Sequence, residues 1–132
     1  MTTWRVIEWI CFYPHPDVVV WINVAKLDAS WKRDIPYYVG VGVSGPGNGS
    51  LSRYQTFGEW LAKGESVWMP HVGIRDGHVS FSDGRHRFAW LRDHGVKALP
   101  VTVSPDIAAE MKRRFGTRNR ISRFIVPHLD HR

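Results

Sequence analysis

Five consecutive residues, Asp83-Gly84-Arg85-His86-Arg87, carry the densest chemistry in this 132-residue chain. They are followed by Phe88-Ala89-Trp90-Leu91 and then by His94-Gly95. The pattern predicts a strand, a tight turn, a helix and a glycine stop. A helix start presents unpaired N–H groups and a partial positive charge. Cations in the first turn oppose that dipole by about 0.3–1 kcal/mol each. Asp or Glu would suit the helix better, so Arg85, His86 and Arg87 point to a visiting anion. Phosphate fits best, because guanidinium groups grip it bidentately and Gly84 lets the backbone approach without a Cβ. The expected phosphate- or nucleotide-binding residues are therefore Gly84, Arg85, His86 and Arg87.

The same residues suggest catalytic roles. His86 titrates near neutral pH and could serve as general base or acid. Arg87, with Arg85, would stabilise charge developing on a phosphoryl group. Asp83 completes this set and is also read as the helix N-cap, accepting from the His86 N–H or a neighbour. Asp76 and Asp83 would hold Mg²⁺ if the turn carrying Asp76 lay beside the helix start. Turn and cap roles explain the same two aspartates structurally. A second charged region runs from Lys112 to Arg123, with six Lys or Arg and no acidic residue. Its Lys112, Arg113, Arg114, Arg118, Arg120 and Arg123 are candidates for contacting nucleic-acid phosphates. The alternative is a solvated helix face and a loose basic end at residues 116–132. His128 and His131 do not make a metal site by spacing alone.

These side chains need a scaffold. Residues 4–13 and 17–22 read as strands, joined as a hairpin across a proline-rich turn. Short helical turns are expected at residues 24–28 and 28–31. Residues 39–50 hold five glycines and a proline and read as a mobile surface loop, or as a lid over a ligand. A helix is expected over residues 54–63, with Phe57, Trp60 and Leu61 on its core side and Gly64 as its stop. Residues 67–74 and 79–82 read as strands around the turn Arg75-Asp76-Gly77-His78. Residues 99–103 form a buried strand, and residues 106–115 a helix begun by Ser104-Pro105-Asp106.

Composition sets outer limits. One α+β domain fits the length, and 43% hydrophobic residues with seven tryptophans can fill a core. The net charge of +6 favours anionic partners. The single cysteine, Cys11, excludes an internal disulfide and fits a reducing cytoplasm. Its apolar neighbours Ile10 and Phe12 suggest a buried, inert thiol. No secretory signal and no membrane span are apparent in the sequence.

Residues 67–103 also resemble the ParB/sulfiredoxin superfamily. Met69-Pro70-His71-Val72, Asp83-Gly84-Arg85-His86-Arg87, Leu91, His94-Gly95 and Leu99-Pro100-Val101 fall in that family's order. The resemblance implies a mixed sheet with helices packed around it. It also implies nucleotide or DNA binding, with ATP or another nucleotide and Mg²⁺ as ligands, and DNase or ATPase activity as in some members. Sulfiredoxin places its nucleophilic cysteine where Arg85 stands, so sulfiredoxin reductase chemistry is excluded. Within the superfamily the phrase around Asp83–Arg87 is most similar to the plasmid fertility-inhibition, oncogenic-suppression-like proteins, which block conjugative DNA transfer. Other classes stay open: a non-catalytic adaptor that docks on a conjugation or secretion protein, and a phage-defence or toxin–antitoxin component. Oligomeric state is not legible.

Overall fold

The computed structural model describes residues 2–11 and 16–127. Its strands are β1 (Trp4–Val6), β2 (Trp9–Ile10), β3 (Val18–Asn23), β4 (Val67–Trp68), β5 (His71–Arg75), β6 (His78–Asp83), β7 (Ala98–Val103) and β8 (Arg123–Ile125). Its α-helices are α1 (Val24–Trp31), α2 (Leu51–Ala62), α3 (Arg85–Asp93) and α4 (Ala108–Phe115). Together they form a small α+β fold around one core. The main sheet runs β3-β7-β5-β6. It is mixed: β7 is antiparallel to β3 and parallel to β5, while β5 and β6 form an antiparallel hairpin.

Strand β7 is buried at all six residues, as a strand covered on both faces must be. Pro100 has no N–H to donate to a ladder. It is tolerated because β3 accompanies β7 along its length, whereas β5 pairs with it only at Thr102. The Asp76-Gly77 turn adopts positive φ at both residues, 51° and 80°, as the Asp-Gly signal predicts.

The amino-terminal hairpin did not form. Strand β1 pairs antiparallel with β8, β2 pairs parallel with β4, and β3 joins β7. Runs of Val, Ile and Trp announce strands but do not name their partners. Phe12 and Tyr13, at the end of the expected strand, and Pro14 and His15, in the expected turn, lie outside the described residues, as do His128 and His131. The predicted strand over residues 67–74 breaks at Met69-Pro70 into β4 and β5. Helix α1 is one unit rather than two, capped by Asn23, whose side chain accepts the Lys26 N–H at 2.9 Å. Cys11 is exposed rather than buried. Trp60 is also exposed, at 48%, while Phe57 and Leu61 enter the core as expected.

Helix α3 is the hub. Its buried residues Phe88, Ala89, Trp90 and Leu91 form one wall of the core. Trp90 packs against α2 so closely that a Cβ on Gly58 would lie 2.5 Å from the Trp90 Nε1. At the far end of α3, Arg92 has a side chain only 9% exposed. It bonds Asp28 at 3.0 Å, Asp93 at 2.9 Å and the Val39 carbonyl at 2.6 Å. Asp93 also accepts the Gly42 N–H at 3.0 Å and the Tyr54 hydroxyl at 2.8 Å. Burial and these carboxylates push the Tyr38 hydroxyl up to about 12 and raise Tyr54 further. One charged cluster thereby ties α1, the glycine-rich loop, α2 and α3 together.

Two stability outcomes follow. Arg92→Leu should cost about 3–5 kcal/mol in denaturant unfolding, because Asp28 and Asp93 lose their buried partner. Gly58→Ala should lower stability by about 1–3 kcal/mol through overpacking on Trp90. A gain in stability instead, as helix propensity alone predicts at about 1 kcal/mol, would mean that α2 and α3 are not in such close contact.

Candidate functional site

The site starts with backbone geometry. Strand β6 runs through Asp83, so the α3 N-cap is Gly84, in the left-handed region at φ 86°. This corrects the reading of Asp83 as the cap. Most residues with a side chain are strained in that conformation. A Cβ there would also meet the Arg87 guanidinium at 2.7 Å and Pro70 at 3.0 Å. Asp83 is thereby left free to accept from Arg87 Nη2 at 3.1 Å.

The first turn of α3 is engaged side chain by side chain. Arg85 donates to the carbonyls of Tyr37 and Asn48, at 3.0 and 3.2 Å. Arg87 also donates through Nε to the Trp68 carbonyl at 3.2 Å. His86 is buried, and its Nε2 accepts the Ser50 N–H at 2.8 Å. That acceptor role requires a neutral ring with its proton on Nδ1. Burial, then the Arg85 and Arg53 charges, push His86 down to about 4. In this arrangement its Nε2 lone pair is already used, so His86 holds the loop to the helix.

The loop leads directly into a second helix start. Ser50 caps α2, its hydroxyl accepting the Arg53 N–H at 3.2 Å. The helix thus begins three residues before the predicted Tyr54. Its third position holds Arg53, where a capping box would have Glu or Gln. Arg53 was overlooked in the sequence, although it breaks the same rule that singled out Arg85–Arg87. Burial and the Arg53 charge lower the Arg85 pKa, and Arg53 acts on His86 as well.

Helices α2 and α3, the end of β6 and β4 enclose a cleft of about 580 Å³. Arg53, Arg85 and Arg87 line it, with Asp83 as its one carboxylate. Gly84 and His86 line it too, so the structure gathers the predicted phosphate-binding residues and the three candidate catalytic residues at one place. It does not bring Asp76 to them. Asp76 sits in the hairpin turn and Asp83 at the other end of β6, roughly 17 Å of strand away. They cannot share an ion, and among the described residues no three His, Cys, Asp or Glu side chains gather to hold a metal.

The second basic region lies elsewhere. Arg114 pairs with Glu110 at 2.9 Å and reaches the Gly77 carbonyl, at the hairpin tip remote from Asp83. Lys112, Arg113 and Arg118 are exposed. Arg120 lies over Trp21, and Arg123 over Trp4 at 4.7 Å. None of these six residues lines the cleft.

The His86 contact generates a pH prediction. A folded value near 4 lies below the ordinary 6.5, so the unfolded chain takes up the proton first. His86 should therefore cost the fold about 1–3 kcal/mol as pH falls from 6.5 to 4. Denaturant unfolding across that range should show the loss in the native chain and a smaller slope in His86→Gln. Equal slopes would contradict the buried neutral imidazole.

Comparison with known proteins adds identity to this geometry. The crystal structure of the Oncogenic Suppression Activity Protein, a plasmid fertility inhibition factor, in its gold(I) cyanide derivative, superposes with a TM-score of 0.58. The match covers 95% of this chain and 73% of that one at 18% identity, and so speaks to the fold. No curated protein matches the sequence significantly. The sequence profile of the Plasmid Fertility inhibition factor family matches residues 19–116, which span β3 through the end of α4 and include the whole cleft. The chain belongs to the plasmid fertility inhibition factor family.

Proposed function

We propose that this chain suppresses conjugative DNA transfer by holding the phosphates of DNA or of a nucleotide in the cleft between α2 and α3. The observation that carries this reading is Arg53. Its guanidinium makes no hydrogen bond or ion pair among the described residues, yet it stands close enough to Arg85 and His86 to disfavour their charged forms. Like charges crowded in a cleft favour an anion between them. Arg85 and Arg87 are already oriented by backbone carbonyls and by Asp83, so little ordering remains when a phosphate arrives.

The ligand would be an oligonucleotide or a nucleotide such as ATP, with Mg²⁺ carried on its phosphates. We place the protein in the cytoplasm, where transferring DNA is accessible; no helix among the described residues is long and apolar enough to cross a membrane. The ParB/sulfiredoxin resemblance, with Gly84 and Arg85 at the helix start, supports the same reading. The geometry supports binding more than hydrolysis. DNase or ATPase chemistry through His86 would require the Ser50 N–H to leave Nε2. Lys112, Arg113 and Arg118 offer DNA a second, non-specific contact.

One observation favours an adaptor instead. Trp4, Val6 and Ile10 on β1 and β2 are 39%, 69% and 42% exposed, an apolar surface suited to a protein partner. Arg53→Ala separates the two readings. Losing one charge-assisted contact should weaken nucleotide or DNA binding roughly tenfold. Suppression of transfer in a mating assay should fall with it, and Arg113→Ala should change both far less. Suppression that survives the loss of binding would favour the adaptor.

A further inference from the structure

The amino-terminal strands carry an apolar face that the core does not use. Side chains alternate across residues 4–10. Ile7 is buried, and its neighbours Arg5 and Trp9 turn inward with it. Arg5 donates to the Leu61 carbonyl at 2.6 Å, and the Trp9 indole to the Ser122 hydroxyl at 3.0 Å. Trp4, Val6, Glu8 and Ile10 are left on the outer side, and all four are exposed. The backbone keeps this alternation between β1 and β2. The Ile7 N–H donates to the Ser122 carbonyl, and the Glu8 carbonyl accepts the Val67 N–H, both at 2.8 Å. Strand β8 and its approach alternate in the same way: Ser122 and Phe124 are buried, Ile121 and Arg123 exposed. A sheet face left in water is ordinarily polar. Here Val6 and Ile121 are 69% and 58% exposed beside Trp4 and Ile10, which is the character of a surface that another surface covers.

The two charges on this face say what covers it. Glu8 and Arg123 make no ion pair among the described residues; Arg123 only lies over Trp4. Val6 stands opposite Arg123 in the ladder, and the same register sets Glu8 opposite Ile121. The four residues mark a rectangle whose sides are about 5 Å between strands and about 7 Å along them. Val6 and Ile121 occupy one diagonal, Glu8 and Arg123 the other. A half-turn about the Val6–Ile121 diagonal lays the face of a second copy on the first. Val6 and Ile121 then meet their own counterparts, and each Glu8 meets the other copy's Arg123. The strands of the two copies cross near a right angle, one of the two ways in which sheets pack face to face. Such a contact is self-complementary and closes as a dimer. We infer that two copies of this chain associate through the outer face of β1, β2 and β8. Chains of net charge +6 repel one another, but on this face acid and base balance, so it is where a second copy can approach. Glu8 and the apolar side chains make the same face a poor match for nucleic acid. The inference is independent of the phosphate reading and accounts for the exposed Trp4, Val6 and Ile10 without a different protein.

The test is sedimentation velocity of the full chain through the micromolar range. The native chain should pass from monomer to dimer as concentration rises. Val6→Asp should remain monomeric. Glu8→Arg and Arg123→Glu, each alone, should weaken association by about tenfold or more, because each sets like charges together twice in the dimer. An equimolar mixture of the Glu8→Arg and Arg123→Glu chains should dimerise again, since both contacts in the mixed pair join opposite charges. A misfolded variant would not be rescued in this way.

A native chain that stays monomeric would overturn the inference and leave the face to a different protein. A dimer indifferent to both charge reversals would overturn it as well. Nucleotide or DNA binding that depends on Arg53 would survive either result, so the two readings fail separately.

Discussion

Arg92 is the constraint on which the rest depends. A guanidinium this buried is stable only when its charge is met. Here Asp28 from α1, Asp93 from its own helix and the Val39 carbonyl meet it through Nε and Nη1, while Nη2 is buried without a hydrogen-bond partner. Once they do, Asp93 has capacity left for Gly42 and Tyr54. The glycine-rich loop and α2 are therefore positioned from the carboxyl end of α3. The amino end of the same helix repeats the device with His86 and Ser50. Fastened at both ends, α2 and α3 pack along Gly58 and Trp90 and leave the cleft at their converging starts.

That convergence explains the electrostatics of the site. Each helix contributes a cationic first turn where an acidic one would suit the dipole better. On α3 the cost is offset in part by Asp83 and by backbone carbonyls. On α2 no carboxylate among the described residues pairs with Arg53, and its charge is felt at Arg85 and His86. The cleft thus holds more positive charge than the fold needs. That surplus lies in one cleft of about 580 Å³, within the segment matched by the fertility inhibition family.

Local chemistry was the legible part of the sequence. The Asp76-Gly77 turn, the Gly84 turn into α3, the mostly apolar β7 and the cationic run Arg85–Arg87 each declare themselves within a few residues. Long-range pairings do not. Strand β1 finds β8 more than a hundred residues later, and nothing in Trp4-Arg5-Val6 specifies that partner. Arg92 and Asp93 do not stand out in the sequence, since burial of a charge cannot be read without its partners. The exposure of Trp60 was missed for the converse reason: helical periodicity marks a face, and here that face lines a cleft. Arg53 was missed because the glycine-rich stretch obscured Ser50 as a cap, so α2 was started one turn late.

The central claim is that anions bind between the starts of α2 and α3 rather than on the basic surface of α4. Amide chemical-shift mapping of the labelled protein, titrated with a nucleotide and then with short single-stranded DNA, tests it most directly. The account predicts saturating shifts at Arg53 and at Gly84 through Arg87. Shifts confined to Lys112, Arg113 and Arg118, with the cleft amides unmoved, would contradict it.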